Sequence, residues 1–295
     1  MSPGPLQSYA RNLEQTHKRF MHKKVTVHIP EPVGLHRRRP GAHFHSTSEF
    51  FLQTGGASDF ACPGSQFRLN TGDVCIMPAG VPHAESPVDL QTPYGILVVM
   101  QNKEGCILLR GEADAKRRIL SEDVLRFPGS GHAFRCLDYA VHHVNIDSAL
   151  RQRFVQNLIE AFLVSILSEL KHPGADKTPE STPLVAEAEK MVLVQISRPD
   201  ITVASISARL GCSPDHLTRR FRAERGLTMN VWITRERIQL ATELLARPGH
   251  NISEIGWACG FTSPSYFIRV FRAHTGLTPK VWRQKKALSA DRKSP

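Results

Sequence analysis

The chain lacks the features that would tie it to a membrane, a secretory route or a thiol framework. None of its six cysteines (Cys62, Cys75, Cys106, Cys136, Cys212, Cys259) forms a CxxC pair, so they read as reduced thiols of a cytoplasmic protein. The N-terminus has no apolar signal core. The longest apolar stretch, Ile159 to Leu167, is too short to span a bilayer, so no membrane partner is expected. Acidic residues are scarce: 38 Lys and Arg stand against 27 Asp and Glu, for a net charge of +11. The imbalance is local. From residue 184 onward there are 18 Lys and Arg against 9 Asp and Glu, so the C-terminal part carries nearly all of it. That skew suits a phosphate-backbone partner, because neutralising phosphates releases counterions. At 295 residues the chain is long for one core and comfortable for two domains.

What the basic half contains is a repeat. SPDHLTRRFRAERGLTMNVW begins at Ser213 and SPSYFIRVFRAHTGLTPKVW begins at Ser263, and the copies agree at 11 of 20 positions. The pattern continues upstream, where Val203 and Ile206 before Gly211 match Ile252 and Ile255 before Gly260. Each unit reads as a short helix, a glycine turn and a second helix. Ser213 and Ser263 can cap that second helix, with Pro214 and Pro264 at its first position. Leu217 and Phe221, like Phe267 and Phe271, stand four apart and face the core. The opposite face is basic, and Gly226 and Gly276 stop each helix. A capped helix with an arginine-bearing outer face, entered through a glycine turn, is the helix-turn-helix arrangement. Arg219 and Arg269 occupy equivalent exposed positions in the two copies.

These residues resemble the DNA-binding region of AraC/XylS-family transcriptional regulators, in the entry from Ile252 to Phe261 and the run from Ser263 to Arg283. The resemblance covers about the last hundred residues. Alanine is usual in that family where this chain has Ser207 and Gly256; both are small, and little effect on packing is expected. The resemblance implies base-facing positions at Asp215, Thr218 and Arg219 in the first recognition helix and Ser265, Tyr266 and Arg269 in the second. Arg222, Arg272 and Lys280 read as phosphate contacts or as solvated charges. Arginine is the strongest base reader here, because it can grip guanine bidentately. A helix from about Ile233 to Ala246, with Ile238, Ala241 and Leu245 inward and Arg235 and Arg237 outward, joins the two units. A helix from about Leu184 to Ser197 precedes them, and the tail after Trp282 is expected to fray.

The N-terminal half has a different period. Residues 1–24 read as a flexible arm. From Val25 to about Asp147, short β-rich runs alternate with Gly, Pro and Asp, which argues for a sandwich or barrel. Because residues two apart on a strand share a face, His43, His45 and Glu49 should aim one way and Phe44 and Phe50 the other. With His83, which follows Gly72, Pro78 and Gly80, they form a nitrogen and oxygen donor set suited to a divalent transition metal. These segments resemble the two motifs of the cupin superfamily, a small double-stranded β-helix, which implies a metal held by His43, His45, Glu49 and His83. The alternative is a metal-free, sugar-sized pocket lined by the same side chains, as in sensor domains of AraC type. The match departs from the cupin pattern at Arg37 and Pro87, neither of which is a ligand.

From Ser148 to about Leu170 the period is helical, with Leu150, Phe154, Leu158, Phe162 and Ile166 on one stripe and Val155, Ile159, Leu163, Leu167 and Leu170 beside it. So wide an apolar face predicts that part covers the barrel and the remainder meets a second subunit. The expected organisation is α+β in two domains: a cupin-like β-barrel with a helix over 25–171, a linker at 172–183, and an all-α domain with two helix-turn-helix units over 184–295. The function expected is sequence-specific DNA binding under the control of a small molecule or metal. Expected partners are double-stranded DNA, an effector, RNA polymerase and a second copy of the chain. No catalytic residues are assigned. The alternative is a metal-dependent cupin enzyme, of dioxygenase or isomerase type, fused to a DNA-binding module.

Overall fold

The structure is a computed structural model. It describes residues 5–22, 25–31, 44–45, 47–89, 92–102, 105–114, 117–127, 131–142, 148–171, 182–246 and 250–291. The chain divides into two compact units: Met1–Val33 with Thr47–Pro179, and Gly34–Ser46 with Glu180–Pro295.

Among its described residues the first unit has helix α1 (Pro5–Met21), followed by strands β1 (Val27–His28), β2 (Glu49–Gly55), β3 (Ala57–Cys62), β4 (Ser65–Asn70), β5 (Val74–Met77), β6 (Ala84–Pro87), β7 (Tyr94–Asn102), β8 (Gly105–Asp114) and β9 (Arg117–Phe127). Helices α2 (Gly131–His142) and α3 (Ser148–Lys171) complete it. Among the described residues the strands form two sheets rather than one closed barrel: six strands in the order β1-β5-β2-β7-β8-β9, and three in the order β4-β3-β6. Among the described strands only β1 and β5 pair in parallel.

Strand β2 shows how the layers are built. Phe50 lies opposite both Ile76 and Val99, and Leu52 lies opposite Leu97. Phe50 and Leu52 join a core shared with Phe134, Ile159 and Phe162 of the helices. Phe51, one residue out of step, joins Phe60, Leu69, Cys75 and Met77 between the two sheets. A strand buried on both faces loses polar alternation and reads as an apolar run. The strand begins only at Glu49, so the parity expected to carry over from His43 and His45 does not apply. Phe44 is buried instead in the core of the second unit.

Three other expectations change. The arm expected at residues 1–24 contains α1, whose Tyr9, Leu13 and Phe20 recur on one face and are buried against α3 and the sheet; Lys171 closes the contact with Glu14 at 2.6 Å. The stripe on α3 is largely used within its own unit. Val155, Ile159, Phe162, Leu163, Ile166, Leu167 and Leu170 are all buried in that unit's core, Phe154 and Leu158 are half-buried, and only Leu150 and Val164 stand out, at 60% and 48% exposure. The tail expected to fray after Trp282 continues as a helix to Asp291, started by Thr278, whose carbonyl accepts from Trp282 N at 2.9 Å.

The second unit is helical throughout its described elements: α4 (Pro183–Gln195), α5 (Val203–Arg209), α6 (Pro214–Arg225), α7 (Met229–Leu245), α8 (Ile252–Ala258), α9 (Pro264–Thr275) and α10 (Pro279–Asp291). Ser213 and Ser263 cap α6 and α9 as expected. Gly226 and Gly276 end them with φ of 73° and 76°, a left-handed conformation that costs glycine least. The joining helix α7 starts four residues earlier than its periodicity suggests, because Thr228 caps it and Met229 and Ile233 are buried. Arg237, expected to point outward, is half-buried. Its guanidinium donates to the carbonyls of Ile196, Arg198 and Ile201 and so closes the turn after α4.

The two copies also pack differently inside. A Cβ added to Gly256 would lie 2.8 Å from Phe267 Cδ1 and 3.0 Å from its Cγ. At the matching positions of the first copy, Ser207 and the smaller Leu217 are both buried. Substituting alanine at Gly256 would therefore force Phe267 to move.

Candidate nucleic-acid interface and ligand site

On α6, Asp215, Thr218, Arg219 and Arg222 fall at helical positions i, i+3, i+4 and i+7, which places them on one face. With Ala223 and Thr228 they line a surface cleft of about 460 Å³. Asp215, Arg219 and Arg222 are exposed and Thr218 is half-buried. Leu217 and Phe221 hold the opposite face with no exposure at all. On α9 the same arrangement exposes Ser265, Tyr266, Arg269 and Arg272 over buried Phe267 and Phe271.

The arginines fall into two groups. Arg220 is tied to Glu224 at 3.3 Å, and Arg225 grips Glu189 with Nε–Oε1 at 2.5 Å and Nη2–Oε2 at 3.0 Å. Among the described residues, Arg219, Arg222 and Arg272 make no ion pair, and Arg269 only lies over the Tyr266 ring, 5.3 Å from its centroid. Uncommitted guanidinium groups on a capped helix face are available to an external anion or a base edge. Sequence reasoning missed Ile268, which is 38% exposed and stands where Thr218 stands in the first copy. The fixed offset of the repeat was the signal that could have found it.

In the first unit the structure brings together two of the four expected metal donors. His83 Nε2 lies 3.3 Å from Glu49 Oε2, with side-chain exposures of 0% and 2%. His83 Nδ1 is 3.0 Å from the carbonyl of Val81; a carbonyl only accepts, so Nδ1 is the donor of that contact. Burial pushes the Glu49 carboxyl well up, with the charge of Glu85 adding to it. The Cys62 thiol is pushed up to about 11, by burial and then by Glu85. Cys75 is raised by burial, then by Cys62, Glu49 and Glu85. His45 groups with the second unit, and His43 lies outside the described residues. Among the described residues no three His, Cys, Asp or Glu side chains gather as a metal cage; of the expected set, Glu49 and His83 are brought together. Likewise, no described helix is long and apolar enough to cross a membrane.

Two family models match the chain: a helix-turn-helix domain over residues 206–285 and an AraC-like ligand binding domain over residues 32–102. Together they span just over half of the sequence. A solved transcriptional regulator from Chromobacterium violaceum, described as an AraC-type DNA-binding domain-containing protein, is 30% identical over 36% of this chain and 93% of its own, with a TM-score of 0.33. The DNA-binding domain of AdpA, solved in complex with a target DNA, is 27% identical over 39% of this chain and all of its own, with a TM-score of 0.35. ToxT from Vibrio cholerae is 14% identical over 82% of this chain and 91% of its own, also with a TM-score of 0.35. No curated relative matches the chain.

Proposed function

The chain belongs to the AraC family of DNA-binding regulators with a ligand-binding N-terminal domain, and from that premise we propose that one monomer reads one extended duplex site through α6 and α9, in successive major grooves about 10 base pairs apart. The observation that carries this is the pairing of two capped helices whose outward arginines, Arg219 and Arg222 on one and Arg269 and Arg272 on the other, are left uncommitted while Arg220 and Arg225 are tied internally. Ile268 supplies apolar contact to a thymine methyl where the first helix offers Thr218. The test is a mobility-shift titration on fragments of the protein's own promoter region against random duplex. Specific binding that weakens steeply with salt is expected, with a slope smaller by about one unit of log K per log salt in Arg222→Ala or Arg272→Ala. Equal affinity for random DNA at moderate salt would overturn the reading.

The N-terminal unit acts as a small-molecule sensor and not as an enzyme, because a metabolic catalyst has no use for a double DNA reader. A second reading, a divalent ion at Glu49 and His83, is supported by the buried approach of His83 Nε2 to Glu49 Oε2. It predicts about one equivalent of metal in protein purified without chelator or nickel, with loss in His83→Ala; the same trace level in both would leave the sensor metal-free. The regulator works in the cytoplasm, where it meets RNA polymerase, and as a homodimer. What α3 leaves for a second subunit is its outer edge at Leu150 and Val164. Val164→Glu should therefore yield monomer at tens of micromolar, roughly the range of transient dimers, by sedimentation. A monomeric wild type would return that edge to solvent.

A further inference from the structure

On the helix-covered side of the large sheet a cleft of about 510 Å³ opens between β1, with its flanking residues, and the first turns of α3. Its walls are Val25, Val27, Ile29 and Val155, with Thr26, Arg151, Gln152 and Gln156 as the polar groups. Val155 belongs to the main core of the unit, and the other three apolar residues pack against that core. The cleft is therefore an apolar surface continuous with the interior, roofed by one cation and two amides.

Arg151 is half-buried and, among the described residues, has no ion pair and no hydrogen bond. Two other arginines of this unit are committed, Arg68 to Asp59 at 2.8 Å and Arg110 to Glu112 at 3.4 Å, while Arg11, Arg19, Arg135 and Arg153 are exposed and keep their hydration. A guanidinium held over apolar surface without a counter-charge gives up hydration for nothing inside the protein, and an incoming anion would restore it. The Gln152 and Gln156 amides are likewise without a described partner. Arg151 lies at the end of the first turn of α3, where the helix dipole favours negative charge. The volume falls within the range of about 300–1,000 Å³ found for small-molecule sites.

We propose that this cleft binds a small monocarboxylate with an apolar alkyl or aryl body. The carboxylate pairs with Arg151 beside the two amides, and the body lies on Val25, Val27, Ile29 and Val155. One cation and two neutral amides match a single negative charge; a dianionic phosphate would ask for more donors. The site lies apart from Glu49 and His83, which face the space between the two sheets. It deepens the sensor reading and rests on it only for its regulatory consequence.

The test is calorimetric titration of the full chain with 4-phenylbutyrate, 4-phenylbutan-1-ol and 4-phenylbutylamine, which share one body and differ in charge. The acid should bind saturably at one equivalent, with the alcohol and the amine at least about tenfold weaker. Arg151→Gln should weaken the acid by about tenfold or more and leave the alcohol unchanged, Arg151→Lys should retain most of the affinity, and Arg153→Gln on the exposed face should match wild type. Equal binding of acid and alcohol, wild-type affinity in Arg151→Gln, or no saturable binding of the acid would each overturn the site. Duplex affinity with saturating 4-phenylbutyrate tests the sensor reading separately: no change there would sever the cleft from regulation while the calorimetry still stood.

Discussion

Arg225→Ala should lower the stability of the second unit by about 3–5 kcal/mol. The Glu189 side chain is only 3% exposed and Arg225 20%, and two parallel hydrogen bonds join them. Removing the guanidinium leaves a carboxylate in the interior without its bidentate partner, the costly way to break such a pair. The pair also fastens α4 to the back of α6, helped by Glu224, which accepts from Thr182 N at 3.0 Å and from its Oγ1 at 2.7 Å. Urea unfolding followed by tryptophan fluorescence reads this unit alone, since Trp232, Trp257 and Trp282 all lie within it. Arg220→Ala is the control: its ion pair is half exposed and should cost no more than about 1 kcal/mol. If the two variants unfold alike, the buried pair is not what holds α4. Replacing both Glu189 and Arg225 by methionine should recover most of the loss, because neither charge is then left buried.

Arg219→Ala and Arg269→Ala should each cost about 1–3 kcal/mol of specific duplex affinity, roughly 5- to 150-fold, and relax base choice at positions about one turn apart. Each side chain is exposed over a buried pair of residues four apart, Leu217 with Phe221 and Phe267 with Phe271, so its removal subtracts a contact without opening the core. Arg269 is further oriented by the Tyr266 ring; Tyr266→Phe should keep its reading and Tyr266→Ala should weaken it. Footprints in which both arginine variants change the same base pair would refute reading in successive grooves.

The second unit was legible in the sequence because its signals are local and appear twice. The serine caps, the proline that follows each, the apolar pairs four apart and the stopping glycines all act within one or two turns, so tertiary packing had little to override. What escaped there depends on distant partners. Arg237 looks like a surface residue until the carbonyls of Ile196, Arg198 and Ile201 come within reach. The first unit was less legible. Strand β2 is covered on both faces, so its alternation is hidden, and extending its parity back to His43 and His45 assumed a strand that starts only at Glu49. Helix α1 was passed over because the apolar residues facing the core, Tyr9, Leu13 and Phe20, are spread thinly through polar sequence. The Glu49–His83 pair was found from ligand chemistry. The carboxylate of Glu85, which pushes Glu49 further up, was not, although it lies only two residues beyond His83.

The collision that an alanine at Gly256 would have with Phe267 bears on how this repeat has diverged. Inside each copy, the residue on the entry helix and the aromatic or aliphatic residue on the reading helix form a matched set: Ser207 with Leu217, Gly256 with Phe267. A reading helix moved whole from the second copy into the first would bring a phenyl ring to a position whose entry-helix counterpart is Ser207, larger than the Gly256 that admits Phe267, and overfilled cores cost about 1–3 kcal/mol. The outer faces carry no such restriction. Target preference can therefore drift freely in each half, residue by residue, while the halves themselves have ceased to be interchangeable, and any redesign of operator choice in this chain is best made by replacing exposed side chains rather than exchanging helices.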